Sequence, residues 1–559
     1  MSEAIQIDIN DLPFSQEGVA TLSPDNKWPI IYLLHGDKKT AYVGESINVK
    51  NRLGDHLRTK GGKGLRAVHV INSKSFNMSV TKEVESKLIK YLGSDGQYEM
   101  LNRNDGLVDH QYYQQEIYET VFDSIWDKLR EKGLAVQSKK DIDNSDLFKY
   151  SPYKSLTREQ KECVGNILIS LANGKTKSLM VQGGAGTGKT VLAVYLFKLL
   201  ASPIAKLRYE EFGLDEATHK MLVKKWGEKP PSMALVIAMT SLRGTLKAVF
   251  KQIDGLKQKM VIGPGELGKN EYDIVMVDEA HRLRRRKNIP NYGSFDKTNK
   301  LLGFGKDGTE LDWVVKRSKQ RILFYDPCQS VRPSDVLAKD FEDLRTRTSS
   351  HSLELEQQMR CGGGVGFQDA VHRILNATEV SSAPLPYGGE SKFEFFLFES
   401  PVDLIESIRA KDEEYGLCRT VAGYAWKWTK KDKDAEDVEL GGNTYKWNGT
   451  NKDWVNSENS SNEIGCIHTV QGYDLNYVGV IFGKEITYNW QSNEIEIVKD
   501  NYHDGNGKKA TSDEELKAYV VNIYKTILLR GMKGVYVYAC DEDMQRYLRG
   551  HVLLYAGTE

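Results

Sequence analysis

Residues 183–190 read GGAGTGKT and stand directly between the apolar run SLMVQ and the helix-forming stretch VLAVYLFKLL. A strand that feeds a glycine turn of G-x-x-x-x-G-K-[ST] form and then a helix leaves few folds open, because the turn belongs at the carboxyl edge of a parallel sheet. The residue types serve one task. Gly183, Gly184, Gly186 and Gly188, with Ala185 and Thr187 between them, let backbone N–H groups close around phosphate oxygens, where the helix start adds its positive end. Lys189 reaches the β and γ oxygens, and Thr190 offers a hydroxyl to magnesium. The pattern predicts a site for ATP and Mg2+.

Downstream, YDIVMVDEAH sets Asp278 and Glu279 at the end of an apolar run, where a buried strand delivers both carboxylates to the same sheet edge. Asp278 suits a magnesium partner, and Glu279 suits the group that orients and deprotonates the attacking water. Short apolar runs recur along the chain: SLMVQ, MALVIAMT, YDIVMVD and RILFYD, then FEFFLF, CRTVAGYAW, YVGVIFG and GVYVYAC. Eight runs of this length exceed one nucleotide-binding sheet and predict two, each with helices on both faces. The helical stretch 206–231 and the polar stretch 427–462 interrupt them and read as surface insertions.

The order of motifs is specific. SLTREQ before the glycine turn, DEAH at 278–281, YDPCQS at 325–330, LEQQMR at 355–360, HTVQGYD at 468–474 and LLRGMKG at 528–534 resemble those of superfamily 1 helicases, closest in texture to a bacterial, Schlafen-like group of P-loop proteins. The resemblance runs from about Ser155 to the end. It implies Gln160 as adenine reader, Gln329 as γ-phosphate sensor, and Arg360 and Arg530 as arginine fingers. Thr469, Gln471, Gly472 and Asp474 resemble the element that joins nucleotide state to nucleic acid, with an aspartate at 474 where a glutamate is usual. Cations supplied from a second lobe stabilise a phosphoryl transition state only when the cleft closes, which couples hydrolysis to domain movement.

A second unit precedes this one. IIYLLHG and TAYVGE read as two strands joined by a short turn, and Val49, Leu53 and Leu57 recur every four residues on the helix that follows. Ile30-Ile31-Tyr32 and Tyr42-Val43-Gly44, with Arg52, with Glu85 in EVESKLIKYL and with Asn102, resemble a GIY-YIG nuclease domain that carries isoleucine for its first glycine. The resemblance implies phosphodiester hydrolysis with one magnesium held by Glu85, charge stabilisation by Arg52, and Tyr32 or Tyr42 aligning or deprotonating water. His56, four residues after Arg52, shares its helix face and suits a proton relay. Between Lys38 and Arg66 eight Lys/Arg face two acids, a local excess that suits a phosphate backbone. Basic runs at 282–287 and around Trp426 and Trp428 offer weaker versions of the same signal.

Length and composition bound the rest. A chain of 559 residues exceeds one core, and the expected division is a nuclease-like domain at 1–110, a helical connector and linker at 111–154, and P-loop (RecA-like) domains at 155–350 and 351–559, an α/β architecture throughout. The balance of 77 basic against 77 acidic side chains neither favours nor excludes nucleic acid, since a neutral total hides local stripes. Six cysteines without a CxxC pair exclude a zinc ribbon and suit a reducing cytoplasm. No apolar run approaches the roughly 18 residues of a membrane helix. These readings converge on a cytoplasmic ATP-dependent nuclease-helicase acting on DNA rather than RNA, in restriction, repair or anti-phage defence. The alternatives are a nucleic-acid sensor whose ATPase is a switch and whose GIY-YIG module binds without cutting, or an RNA-directed enzyme.

Overall fold

The computed structural model describes residues 5–22, 28–36, 39–58, 64–101, 115–152, 156–184, 186–289, 291–330, 332–356, 362–378, 393–427, 436–450, 453–504, 508 and 512–557, with backbone alone at 115–119 and 328. These fall into two compact units, Met1–Thr157 and Arg158–Glu559.

In the first unit, β1 (Asp8–Pro13), β2 (Ile30–Gly36), β3 (Thr40–Ser46), β4 (Leu65–Asn72) and the short β5 (Glu99–Met100) form one sheet of order β1-β4-β2-β3-β5. The hairpin register sets Tyr32 opposite Gly44 and Leu34 opposite Tyr42. Because side chains alternate, Tyr32 and Leu34 pack with Val49 and Leu53 of the helix Val49–Arg58, while Ile31, Leu33 and Val43 pack against the helix Met78–Asp95 on the other face. Asn77 caps that second helix by accepting from the N–H groups of Ser79 and Val80.

The sequence reading passed over β4, which pairs with both β1 and β2. Its apolar pattern is broken by Arg66 and His69, yet His69 is buried because its Nδ1 lies 2.8 Å from Asp11 Oδ1 on β1. The segment expected as connector and linker also belongs to this core. Val121, Phe122, Ile125, Trp126 and Leu129 of the helix Gln115–Glu131 pack there, and the short helices Lys139–Asn144 and Asp146–Lys149 follow, with Ile142 fully buried and Tyr91 donating to Asp143. Ser138 and Ser145, read as linker polarity, are the two N-caps.

The second unit holds two parallel six-stranded sheets. The first has order β11-β6-β10-β9-β7-β8, from β6 (Ser178–Gly183), β7 (Met233–Ile237), β8 (Val261–Ile262), β9 (Tyr272–Asp278), β10 (Ser318–Tyr325) and β11 (Ser350–Leu355). The second has order β16-β13-β17-β20-β12-β21, from β12 (Glu394–Leu397), β13 (Arg419–Ala422), β16 (Ile464–Gly465), β17 (Leu475–Phe482), β20 (Gly531–Ala539) and β21 (Leu553–Leu554). All eight apolar runs are strands in these sheets. Two hairpins, β14–β15 (Val438–Leu440, Asn443–Tyr445) and β18–β19 (Ile486–Asn489, Glu494–Ile497), decorate the second lobe.

One expected surface insertion is corrected. The stretch 427–462 carries Trp447 and Trp454 into the core of the second lobe, where the Trp454 indole donates to Glu463 Oε2 at 2.6 Å. A buried indole with a satisfied N–H is inward-facing despite polar neighbours in sequence.

Candidate active sites

Strand β6 ends at Gly183, the turn follows, and the helix Lys189–Ala201 begins after Gly188, whose φ of 79° and that of Gly186 at 84° lie in the left-handed region that glycine reaches at no steric cost. Lys189 Nζ donates to the carbonyls of Gly183 and Gly184, each at 2.7 Å, and lies 3.8 Å from Asp326 Oδ2. Gln160, buried in the helix Arg158–Asn173, donates to the Thr187 carbonyl at 3.3 Å and so sits against the turn. Ala185 lies outside the described residues.

The last residue of β9 is Asp278, fully buried, and neither of its oxygens meets a hydrogen-bond partner among the described residues. Burial first, then the charge of Glu279, pushes its carboxyl up, while Thr190 and Lys189 pull it back. Glu279 moves the other way, because the charges of His281, Lys189 and Arg530 outweigh its burial. Its Oε2 lies 3.0 Å from His281 Nε2, and its backbone sits at φ 50°, an unusual left-handed conformation for a side-chain-bearing residue that turns the chain sharply after the strand. A buried carboxylate with two unbonded oxygens beside a threonine hydroxyl and the phosphate turn fits a magnesium ion.

The second lobe closes this cleft. Arg530 is 1% exposed, donates from Nη2 to Gln329 Oε1 at 3.2 Å, and approaches the Tyr473 carbonyl at 3.4 Å. Gln329 in turn donates to Asp326 Oδ2 at 2.5 Å. Thr469 and Gln471 are buried, and Gly472, at φ 92°, lies against Met239 and Leu242 of the first lobe. Arg360 lies outside the described residues. The basic run after DEAH is engaged internally: Arg282 pairs with Asp335 at 2.8 Å, and Arg286 binds Asp296 through two nitrogens.

In the first unit, β2, β3 and the helix Val49–Arg58 bring Tyr32, Tyr42, Arg52 and His56 together. Tyr32 Oη lies 3.1 Å from His56 Nε2, the two tyrosine rings stack at 6.2 Å, and the His56 ring stands edge-on to Tyr42 at 4.7 Å. The phenols of Tyr32 and then Tyr42 beside it hold the Arg52 guanidinium above its usual pKa. Gly44 is obligatory here, since a Cβ would come within 2.3 Å of Tyr32 Oη. Tyr32 is fully buried and Tyr42 is half-buried, so the two matched tyrosines differ in access to solvent. Burial and the neighbouring Tyr42 raise the Tyr32 pKa; burial and then Arg52 lower that of His56.

Glu85, on the helix Met78–Asp95, is pushed up to about 7 by burial and by the charge of Glu45, against the opposing pull of Arg52. Glu45 Oε2 is itself buried without a hydrogen-bond partner among the described residues. Two mutually repelling carboxylates, one with an orphaned oxygen, fit a divalent cation. Sequence reasoning missed Glu45, because alternation sets it on the face opposite Tyr42 and Gly44 and no spacing rule ties it to Glu85. Asn102 lies outside the described residues.

Two parallel-stranded lobes around one P-loop, with a small sheet earlier in the chain that gathers tyrosines, arginine and glutamate, define a helicase-like P-loop protein with a GIY-YIG domain. Residues 176–541 match the family described as Schlafen group 3, DNA/RNA helicase domain, and residues 28–88 match the GIY-YIG catalytic domain. The first match covers more than half of the chain, which belongs to the Schlafen group 3 helicase family. An uncharacterized protein of Saccharomyces cerevisiae is 26% identical over 402 residues, 66% of this chain and 83% of that protein. Among solved structures, the Pif1 helicase of Candida albicans matches at 12% identity and TM-score 0.27 over 71% of this chain and 98% of its own. The arterivirus helicase nonstructural protein 10, solved with DNA, matches at 14% identity and TM-score 0.28 over 68% of this chain, which spans 65% of the arterivirus chain.

Proposed function

We propose that this protein is an ATP-dependent nuclease-helicase: the P-loop unit hydrolyses ATP to move on or remodel DNA, and the GIY-YIG unit cuts it. The observation that carries the reading is the presence of two chemically different constellations, the Lys189, Asp278, Glu279, Gln329 and Arg530 cleft and the Tyr42, Arg52, His56 and Glu85 cluster, in separate compact units. The division into a nuclease-like domain and two P-loop lobes belongs to this reading.

In the cleft, the glycine turn and Lys189 hold the β and γ phosphates, Gln160 reads the adenine, and Glu279 takes a proton from water. Its depressed pKa keeps it ionised for that step. Arg530 and Gln329 face the γ-phosphate and stabilise charge as it spreads over the transferred oxygens. In the nuclease cluster, neutral His56 accepts the Tyr32 hydroxyl proton in a hydrogen bond, and this contact fixes the ring beside Tyr42. Half-buried Tyr42 is the tyrosine that reaches water, while Arg52 steadies the scissile phosphate. Magnesium, held by Thr190 and Asp278 in the cleft and by Glu85 in the nuclease cluster, supplies Lewis-acid polarisation of phosphoryl oxygens.

DNA is the proposed substrate, and the setting is restriction, repair or anti-phage defence in the cytoplasm. Among the described residues no helix is long and apolar enough to cross a membrane. The test incubates the protein with plasmid, forked DNA and RNA, with and without ATP and magnesium. Magnesium-dependent cutting of DNA supports the reading. ATP turnover without any cutting replaces it with a sensor, and cutting confined to RNA replaces the substrate.

A further inference from the structure

Between Asp326 and Asp335 the first lobe sends a loop against the second, and among the described residues it is bonded there at three points. Arg530 donates to Gln329 at 3.2 Å, Asn522 Nδ2 donates to the Ser330 carbonyl at 3.2 Å, and Arg332 Nη2 donates to His468 Nδ1 at 2.6 Å. The first belongs to the phosphate cleft. The third lies at the start of HTVQGYD, the segment expected to join nucleotide state to nucleic acid.

Both ends of this system are tied to rigid pieces. Asp335 Oδ2 accepts from the Arg332 backbone N–H at 3.1 Å and from Arg282 at 2.8 Å, and Arg282 directly follows the DEAH segment that bears Glu279. His468 sits in the short helix Ile467–Val470, whose Thr469 hydroxyl is bonded to Asn448 and Cys466. At the far end of the segment, the Tyr473 carbonyl faces Arg530, its hydroxyl donates to Asp453 at 2.8 Å, and Gly472 rests on Leu242. Segment 468–473 is therefore gripped at one end by Arg332 and at the other by Arg530.

We propose that the Arg332–His468 hydrogen bond is a positioning contact through which the nucleotide state of the cleft sets the placement of segment 468–474, and with it the affinity for nucleic acid; this rests on the motor reading above. A γ-phosphate that draws Gln329 and Arg530 to itself pulls on a loop whose Arg332 backbone is bonded to Asp335. Arg332 stands three residues from Gln329 on that loop and carries His468 with it. The bond needs a neutral ring, since Nδ1 must accept. The surroundings of the ring favour that form: burial opposes an imidazolium first, Arg332 and Arg282 then repel it, and the Tyr424 ring packs at 5.6 Å. Among the described residues no hydrogen bond joins Arg332 or His468 to the phosphate turn, so their effect is on coupling. A coupling of this kind is reciprocal in affinity: nucleic acid must alter nucleotide binding by the factor by which nucleotide alters nucleic-acid binding.

The test measures binding of a labelled single-stranded deoxyoligonucleotide, and of RNA of the same sequence, with ADP and with a non-hydrolysable ATP analogue, alongside ATP turnover with and without the oligonucleotide. Full-length wild type is compared with Arg332→Ala, His468→Ala, the double variant and His468→Gln, whose amide oxygen restores an acceptor. Wild-type affinity should differ by about fivefold or more between the two nucleotides. In the alanine variants the ratio should fall to within about twofold, with oligonucleotide-stimulated turnover lost and unstimulated turnover within about twofold of wild type. The double variant should be no worse than either single one, and His468→Gln should regain most of the ratio. An undiminished ratio in both alanine variants, or an equal fall in unstimulated turnover, overturns the contact's coupling role. A wild type with no nucleotide-dependent binding overturns the motor reading, and the proposal with it.

Discussion

Arg530 of the second lobe donates to the side-chain oxygen of Gln329 in the first at 3.2 Å, so the proposed arginine finger rests on the proposed γ-phosphate sensor. A triphosphate entering the cleft offers both groups a stronger, charged partner, and their mutual bond yields to it. Arg530→Ala should lower ATP turnover by about 10³-fold with little loss of ATP affinity, because a finger acts on charge that develops in transfer. Nucleotide binding and steady-state hydrolysis measured side by side check this, and wild-type turnover in the variant removes Arg530 from the mechanism.

Lys189→Ala should abolish turnover, since its ammonium already lies on the Gly183 and Gly184 carbonyls at the lip of the phosphate site. Glu279→Gln should bind ATP and hydrolyse it about 10²–10⁴-fold more slowly, keeping shape while losing the base. Trapping of radiolabelled ATP on Glu279→Gln, set against its absence on Lys189→Ala, distinguishes the two roles. Equal turnover in Glu279→Gln and wild type means that another group is the base.

What the sequence made legible follows from where order is local. The glycine turn, DEAH and the eight strands are contiguous runs whose chemistry or periodicity is visible without a fold, and the structure places them as strands and cleft. Contacts between distant segments were not legible. Nothing near Glu45 announces that its charge faces Glu85, and nothing in YDPCQSVR indicates that Arg332 meets a histidine 136 residues away. The stretch 138–152 failed for another reason: serines that serve as helix caps have the composition of a linker, and Ile142 and Tyr150, buried eight residues apart, are too little periodicity to see.

Gly44→Ala tests whether the tyrosine cluster is held by close packing. A Cβ placed 2.3 Å from Tyr32 Oη and 2.4 Å from its ring carbon must push the phenol off His56, at a cost of about 1–3 kcal/mol for overpacking. Cleavage should fall while ATP turnover stays. Nicking and ATP hydrolysis on one preparation measure both, and unchanged nicking means that the Tyr32–His56 contact does not matter.

Protons should compete with the cation at Glu85. Its carboxyl is raised to about 7, so without metal it retains its proton to higher pH than in the unfolded chain, and that contribution to stability is lost as pH rises through about 7. A divalent cation needs the ionised form. Mn2+ affinity at this site should therefore fall about tenfold per pH unit below about 7 and level off above it. The measurement is Mn2+ binding by paramagnetic resonance from pH 5.5 to 8.5, taken as the difference between wild type and Glu85→Gln. A difference that does not change with pH contradicts the assignment.

The two proposed activities should separate by mutation. Every nuclease residue placed by the structure lies between Tyr32 and Glu85 in the first compact unit, and every residue of the ATP cleft lies at or beyond Gln160 in the second. Glu85→Ala removes a carboxylate from a site where few protein ligands hold a hard cation, so cleavage should stop. Arg52→Ala should resemble it, because the phosphate then lacks its guanidinium and both tyrosines lose the positive charge beside them. Neither change reaches Lys189, Asp278 or Glu279, and ATP hydrolysis should remain within about twofold of wild type. Lys189→Ala should do the converse: it should spare cutting of a site that is already exposed and reduce cutting only where the motor must first deliver it. One labelled forked DNA, assayed for nicking and for stimulation of ATP turnover with wild type and the three variants, decides the matter. Undiminished nicking by both Glu85→Ala and Arg52→Ala leaves an ATP-driven motor whose N-terminal unit binds nucleic acid without cutting it.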